Sequence, residues 1–160
     1  MKLRHLVLGY FIAGLTLYGC GAGERSGPDE MSAPNIIYIL ADDLGYGDLA
    51  CYGQQEFPTP NLDKLAFEGL RFTRHYSGST VCAPSRSVLM TGLHTGHTPI
   101  RGNQEVRPEG QMPLPDSSFT MAEMLQSAGY VTGAFGKWGL GFPGSEGDPL
   151  NQGFDTFFGY

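Results

Sequence analysis

An uninterrupted apolar run, NIIYIL at Asn35–Leu40, constrains the fold of this chain more than any other feature. Its β-branched residues show no alternation with polar ones, which is typical of a strand buried on both faces in a parallel sheet. Two adjacent carboxylates, Asp42 and Asp43, follow it. Ligand sites of open α/β sheets lie beyond the carboxyl ends of the strands. The run therefore predicts a parallel sheet with a site at these carboxylates.

The rest of the chain alternates predicted helices with predicted strands. Thr59 is a plausible N-cap with Pro60 in the first turn of a helix, and Gly129 closes a later amphipathic one. We predict helices from 60, over 84–90 and over 121–128, strands over 70–76 and 130–135, and a loop punctuated by Pro and Gly over 101–118. This alternation predicts an α/β fold, a mostly parallel sheet sandwiched by helices.

The N-terminus resembles an export signal. A basic start leads into an apolar run over 6–17, which is shorter than the roughly 20 residues of a membrane span. The run stops just before Cys20, as in bacterial lipoprotein signals, which implies lipidation of Cys20 and anchoring in the cell envelope. An ordinary signal peptide cleaved nearby is the alternative. We expect a signal peptide over 1–19, a flexible tether over 20–33 and a folded part over 34–160.

Charge and cysteine content narrow the remaining possibilities. The net charge is −6 over 160 residues and no basic stripe is present, so we expect no nucleic-acid partner. Beyond Cys20, the cysteines are Cys51 and Cys82. In an oxidising compartment a disulfide between them is possible, and the sequence leaves that pairing open.

The candidate site residues suit an anion beside a hard cation. Asp42 and Asp43 are oxygen ligands of the type that Ca²⁺ or Mg²⁺ prefers, although either could simply cap a turn. Cys82 directly precedes a predicted helix, whose first N–H groups favour anions. Arg86, one turn later, and Lys137, after a predicted strand, add positive charge, although each alone could be a surface residue. Because sulfur is soft, a plain thiol suits this site poorly, and an oxygen nucleophile would suit it better.

These residues belong to motifs that resemble the type I sulfatase family of the alkaline-phosphatase-like superfamily. Cys82-Ala83-Pro84-Ser85-Arg86 matches the family signature Cys-X-Pro-Ser-Arg. The order and spacing of the motifs make the resemblance specific. The other matching stretches are Asn35–Asp48, Gly136-Lys137-Trp138 and Asn151–Asp155.

The resemblance implies an unusual nucleophile. In this family a maturation enzyme reads the short motif of Cys82, Pro84, Ser85 and Arg86 and oxidises the cysteine to formylglycine. One hydroxyl of the hydrated aldehyde attacks the sulfur of a sulfate ester and expels the alcohol. The other hydroxyl then loses its proton, the aldehyde reforms and sulfate leaves.

Family roles follow for individual residues. Asp42, Asp43 and the modified Cys82 would ligate Ca²⁺, with Mg²⁺ as the alternative. Arg86 would hold the formylglycine, and Lys137 would contact sulfate oxygens. The implied partners are a sulfate ester, of sulfated glycans or aryl alcohols, the maturation enzyme, and a membrane through the lipid on Cys20.

Two departures from the family pattern matter. Gly139 stands where Gly-Lys-Trp-His-Leu-Gly has histidine. We expect His94 and His97 to be loop residues that do not replace it. The family's further metal ligands, and its further histidine and lysine at the sulfate site, have no candidates here, so we expect the N-terminal part of a sulfatase domain that is inactive in isolation.

Two other functions remain open. A phosphonate or phosphate ester hydrolase of the same superfamily could use the same nucleophile. A surface lipoprotein with a degenerate fold would keep Cys82 unmodified and catalyse nothing.

Overall fold

The computed structural model describes residues 33–108 and 110–160, so the predicted signal peptide and Cys20 lie outside the described residues. Three α-helices, two β-strands and three short 3-10 turns form the regular structure of this part. The helices are α1 (Pro60–Glu68), α2 (Cys82–Thr91) and α3 (Met121–Ser127); the strands are β1 (Gly133–Gly136) and β2 (Thr156–Gly159); the turns are Tyr46–Asp48, Ala50–Tyr52 and Pro149–Asn151. Within the described ranges, no helix has the length and apolar character needed to cross a membrane.

The sheet consists of β1 and β2, which pair in parallel. Gly133 lies opposite Thr156, and the register continues to Gly136 opposite Gly159. β1 overlaps the end of the strand predicted over 130–135, whereas β2 was not predicted. The parallel direction agrees with the sheet type that the sequence indicates.

The two other predicted strands are wrong. Residues 35–40 and 70–76 form no strand, and the side chain of Ile37 is 86% exposed, so its burial was also predicted wrongly. An extended segment becomes a strand only when a neighbour pairs with its backbone. Among the described residues, β1 pairs with β2 and an isolated bridge joins Glu105 to Gln111, and none of these pairs with 35–40 or 70–76.

The helix ends largely match the sequence. Thr59 is the N-cap residue of α1, although its hydroxyl donates to Asp63 Oδ1 (3.0 Å) and leaves the helix N–H groups uncapped. Thr120 caps α3 through a reciprocal box with Glu123, and Gly129 follows that helix with a left-handed φ of 85°, as predicted. α2 starts at Cys82, two residues earlier than predicted.

The core lies between α2, α3 and the segment that follows β1. Trp138 packs edge-on against Phe154, with ring centroids 5.7 Å apart, and its indole N–H donates to the Gly147 carbonyl (2.7 Å). A buried hydroxyl pair, Ser87 with Thr98, joins α2 to the loop that follows it. The core residues are Ala83, Met90, Ile100, Leu114, Ala122, Trp138 and Leu140.

Asp155 sets how β1 and β2 meet. Its Oδ2 accepts from the Thr132 backbone N–H (2.7 Å) and hydroxyl (3.0 Å), and its Oδ1 accepts from Gln126 Nε2 (2.9 Å). Its own N–H donates to the Thr132 carbonyl (3.0 Å). Chiefly the Thr132 backbone N–H lowers the pKa of Asp155. The carboxylate thus fixes the residue before β1 to the residue before β2.

Candidate active site around Cys82

Cys82 is the first residue of α2 and borders two open pockets. One pocket, of about 190 Å³, is lined by Asp42, Asp43, Ser85 and Arg86 as well as Cys82. The other, of about 320 Å³, is lined by Cys82 together with Ala83, Asn103, Gln111, Lys137, Gly139 and Tyr160. The five predicted catalytic and metal residues therefore all line pockets that share Cys82.

Asp42 holds both predicted cations. Lys137 Nζ lies 2.8 Å from Asp42 Oδ2, and Arg86 Nη2 lies 3.3 Å from Asp42 Oδ1. The hydrogen bond from Lys137 lowers the pKa of Asp42, and the same bond raises the pKa of Lys137. The two cations thus bind the two oxygen atoms of one carboxylate. Lys137 and Arg86 are therefore spaced so that they can bind two oxygen atoms of the same anion.

Arg86 connects α2 to the end of β1. Its side chain is only 13% exposed, and its Nη1 donates to the Lys137 carbonyl (2.5 Å). The planar guanidinium can therefore bond the main chain of one site residue and the carboxylate of another at once. Lys137 directly follows β1, so this bond ties its position to both elements.

The Cys82 thiol has two donors beside it. The Lys137 ammonium is the main cause that lowers the pKa of Cys82, and the side-chain amide of Asn103 contributes too. Asn103 Nδ2 lies 3.7 Å from Sγ, and Asn103 Oδ1 accepts from the Ala83 N–H (3.1 Å). Sequence reasoning missed Asn103, because a single asparagine in a loop with Gly and Pro carries no distinguishing signal.

Asp43 adopts an uncommon backbone conformation. Among the described residues, Asp43 is the one non-glycine residue with a positive φ, of 59°. Residues other than glycine rarely adopt this conformation, and those that do tend to cluster at functional sites. Asp42 and Asp43 follow a segment with no assigned secondary structure, so their predicted place at a strand end is wrong although they line the site.

The donor set fits a hard cation in type. Two adjacent carboxylates and residue 82 line one pocket, and carboxylate oxygens suit Ca²⁺ or Mg²⁺. Over 33–108 and 110–160, no three His, Cys, Asp or Glu side chains lie together as a metal-binding group. The described residues thus include donors suited to a cation, Asp42 and Asp43, but not a complete set of metal ligands.

Other predicted residues take supporting positions. Pro84 is buried in the first turn of α2, and its neighbour Ser85 lines the pocket with Asp42 and Asp43. His94 and His97 lie in a turn after α2 and line neither pocket at Cys82.

Cys51 and Cys82 are both free, so the disulfide that the sequence left open is not formed.

Gly139 leaves space beside the site. It lines the second pocket with a left-handed φ of 73°, and a Cβ there would lie 3.6 Å from Arg86 Cδ, an ordinary contact distance. A side chain at this position would therefore meet backbone strain more than a clash.

Comparison with known proteins places this geometry in a context. A family model described as Sulfatase matches residues 34–160. Human arylsulfatase A is 48% identical over 131 residues, covering 79% of this chain and 25% of the relative. Rat arylsulfatase G is 42% identical over 157 residues, covering 98% of this chain and 29% of the relative. The chain thus spans about a quarter of the length of these relatives.

Solved structures show the same fold. One, described with the metabolism of multiple glycosaminoglycans by Bacteroides thetaiotaomicron, matches with a TM-score of 0.71 and 40% identity over 79% of this chain and 28% of that one. Another, Ps i-CgsB, matches with a TM-score of 0.67 and 35% identity over 76% of this chain and 27% of that one. This likeness confirms the predicted α/β fold class.

Proposed function

Because the chain belongs to the sulfatase family, we propose that the protein hydrolyses sulfate monoesters with residue 82 as the nucleophile. One observation carries the proposal: Asp42, Arg86 and Lys137 converge at the first turn of α2, where Cys82 lies. These residues are far apart in the chain and yet meet at one place that suits an anion. Such a convergence is more typical of a functional site than of an incidental surface cluster.

The cations and the helix start would bind the sulfate group. The Lys137 ammonium lies next to residue 82, and the Arg86 guanidinium, one helical turn after residue 82, is held by the Lys137 carbonyl. Both can stabilise negative charge that develops on sulfate oxygens in the transition state. The start of α2 adds the positive end of its helix dipole, while the Ala83 N–H is already bonded to Asn103 Oδ1.

We propose that Cys82 is converted to formylglycine before it acts. The conversion removes the thiol sulfur, leaves an aldehyde, and takes its oxidant from the maturation reaction. Support comes from the Cys82-Ala83-Pro84-Ser85-Arg86 motif and from the partial exposure of Cys82, without a disulfide partner, in the described structure. An oxygen nucleophile also fits a site whose other donors are carboxylates.

Asp42, Asp43 and residue 82 would hold a Ca²⁺ or Mg²⁺ ion. When bound, such an ion supplies positive charge that favours the ionised form of an adjacent hydroxyl. Asp43 is exposed and makes no hydrogen bond through its carboxylate among the described residues, so it can bind a cation without giving up a protein partner. Asp42 would bind it while Lys137 and Arg86 remain as counter-charges.

We propose sulfated glycans as the substrate class, with aryl sulfates as the alternative. The proposal takes its support from two structures of similar fold: one described with glycosaminoglycan metabolism, and Ps i-CgsB in complex with k-i-k-neocarrahexaose, 33% identical with a TM-score of 0.65. We also propose that the protein is exported and lipid-anchored through Cys20, on the strength of the apolar run that precedes this residue.

The first experiment is mass spectrometry of the tryptic peptide His75–Arg86 from protein made in its own host. We expect an aldehyde in place of the Cys82 thiol. An intact thiol, in a host shown to mature other sulfatases, would overturn the nucleophile and favour a non-catalytic lipoprotein.

Turnover assays on the full-length protein from the same host would follow, with 4-nitrophenyl sulfate, a phenyl phosphonate ester and sulfated oligosaccharides. We expect hydrolysis of sulfate esters and a preference for the oligosaccharides. Faster hydrolysis of the phosphonate would favour the phosphonate hydrolase, and activity confined to the aryl sulfate would overturn the glycan proposal.

A further inference from the structure

Asn103 makes two contacts at the start of α2. Its Oδ1 accepts from the Ala83 N–H at 3.1 Å, and its Nδ2 lies 3.7 Å from Cys82 Sγ. The first N–H groups of a helix have no partner within the helix, so the first contact satisfies one of them. A single carboxamide from a distant loop thus joins the helix backbone and the side chain of residue 82.

The second contact is aimed at the proposed nucleophile. The sulfur stands in for the oxygen that replaces it on the same carbon after conversion to formylglycine. An amide N–H donates to oxygen more strongly than to sulfur. The contact that Asn103 makes with the thiol therefore marks a donor available to the mature residue.

Gln111 and Tyr160 also line this pocket, but among the described residues the side-chain hydrogen bond to Cys82 Sγ comes from Asn103. Lys137 also lies beside Cys82, but its ammonium bonds Asp42. Gly139 lines the pocket without a side chain. Asn103 is thus a neutral donor whose other end is already fixed by the helix, so it can restrict the rotamer of residue 82 at little further entropic cost.

We propose that Asn103 is a positioning residue that orients the nucleophile at position 82 by bridging it to the first turn of α2. The inference rests on the proposed function, because it assigns Asn103 its part in that reaction. The bridge from Asn103 to residue 82 can be tested separately, without measuring turnover.

Two variants separate the bridge from simple capping. Asn103→Asp keeps an oxygen that accepts the Ala83 N–H but loses the donor, and Asn103→Leu is neutral and loses both. Gln104→Ala, in the same loop and exposed, is the matched control. For kinetics, each variant is produced in the protein's own host. For thiol chemistry, each variant is produced in a host without the maturation enzyme.

The kinetic measurement compares kcat and KM for 4-nitrophenyl sulfate, with kcat calculated per mole of formylglycine in each preparation. We expect kcat to fall about tenfold to a hundredfold in both variants, with KM within about twofold. We expect Asn103→Asp to melt near the wild-type temperature. Recovery of wild-type kcat in Asn103→Asp would mean that Asn103 only caps the helix, and would overturn the inference.

The thiol measurement follows alkylation of unmodified Cys82 by iodoacetamide at pH 7.5, with Cys51 as the internal reference. Loss of the donor should slow Cys82 about three- to tenfold in both variants and leave Cys51 unchanged. Wild-type rates at Cys82 in both variants would overturn the bridge. If the matured wild-type protein hydrolyses no sulfate ester, the proposed function falls, and the alkylation rates alone decide whether Asn103 positions residue 82.

Discussion

Lys137 Nζ lies 2.8 Å from Asp42 Oδ2, although 95 residues separate the two in the chain. Asp42 lies near the start of the described structure, before the first assigned element, and Lys137 directly follows β1. The ion pair closes the site between them. Because both groups are exposed, their Coulomb attraction alone stabilises the fold little. We therefore assign the pair a role in the site more than in stability.

Removing the Lys137 charge should abolish most activity. We expect Lys137→Met to lower kcat/KM for a sulfate ester about 10²- to 10³-fold, because a preorganised cation at developing negative charge is lost. The measurement is steady-state kinetics normalised to formylglycine content. Lys64→Met is the control, since Lys64 is an exposed lysine paired with Glu68 on α1. Equal losses in both variants would contradict a specific role for Lys137.

Replacing Arg86 by lysine should be nearly as damaging as deleting its charge. Arg86 bonds the Lys137 carbonyl and the Asp42 carboxylate at once, and a single ammonium on the shorter, flexible lysine side chain cannot reproduce this planar fork. We expect Arg86→Lys to lower kcat/KM by about 10²-fold. Arg74→Lys, at an exposed position, should leave it within about twofold. Retention of activity in Arg86→Lys would show that charge alone suffices.

The Ser87–Thr98 hydroxyl pair should behave non-additively in stability. Both side chains are buried and bond each other. Ser87→Ala leaves the Thr98 hydroxyl without this partner, and we expect a loss of about 1–3 kcal/mol in the free energy of unfolding. Ser87→Ala combined with Thr98→Val removes both polar groups and should recover part of that loss. Urea titration of the four proteins gives the coupling energy, and strict additivity would contradict the pairing.

Asp155 should contribute stability that disappears in acid. Its pKa is lowered in the folded state, chiefly by the Thr132 N–H. Its contribution is therefore fully present above the ordinary aspartate pKa of about 3.9 and is lost as the pH falls through the lowered native pKa. We expect Asp155→Asn to melt at a lower temperature than wild type at pH 7.

The difference between Asp155→Asn and wild type should begin to shrink as the pH falls below about 4, where the carboxylate of the unfolded chain becomes protonated, and should disappear once the native carboxylate is protonated below its lowered pKa. Thermal melting followed by circular dichroism from pH 7 to pH 3 measures it. Asp116→Asn, at an exposed position, should track wild type throughout. A difference that persists unchanged at pH 3 would contradict the assignment.

The sequence was informative where chemistry is encoded by adjacent residues. Five site residues could be proposed from the sequence: Asp42, Asp43, Cys82, Arg86 and Lys137. The signals were a carboxylate pair, a cysteine at a helix start, an arginine one turn into that helix and a lysine after a predicted strand. The structure places all of them around two pockets that share Cys82. Helix ends were also predictable, since caps and glycines act within a few residues.

The sequence failed where structure depends on distant partners. The run over 35–40 has the composition of a buried strand, yet a strand forms only beside another, and composition does not report which neighbours are present. Asn103 was missed for a related reason. Its importance comes from contacts with Cys82 and Ala83, which loop composition does not encode.

The register of β1 against β2 also determines the positions of site residues outside the sheet. Asp155 fixes Thr132 before β1, Lys137 leaves β1 at its other end, and its carbonyl is held by Arg86. A shift of one residue in this short pairing would move the ammonium of Lys137 away from Asp42. Substitutions at Asp155 and Lys137 should therefore show epistasis in catalysis, so selection on one position will constrain the amino acids that the other can accept.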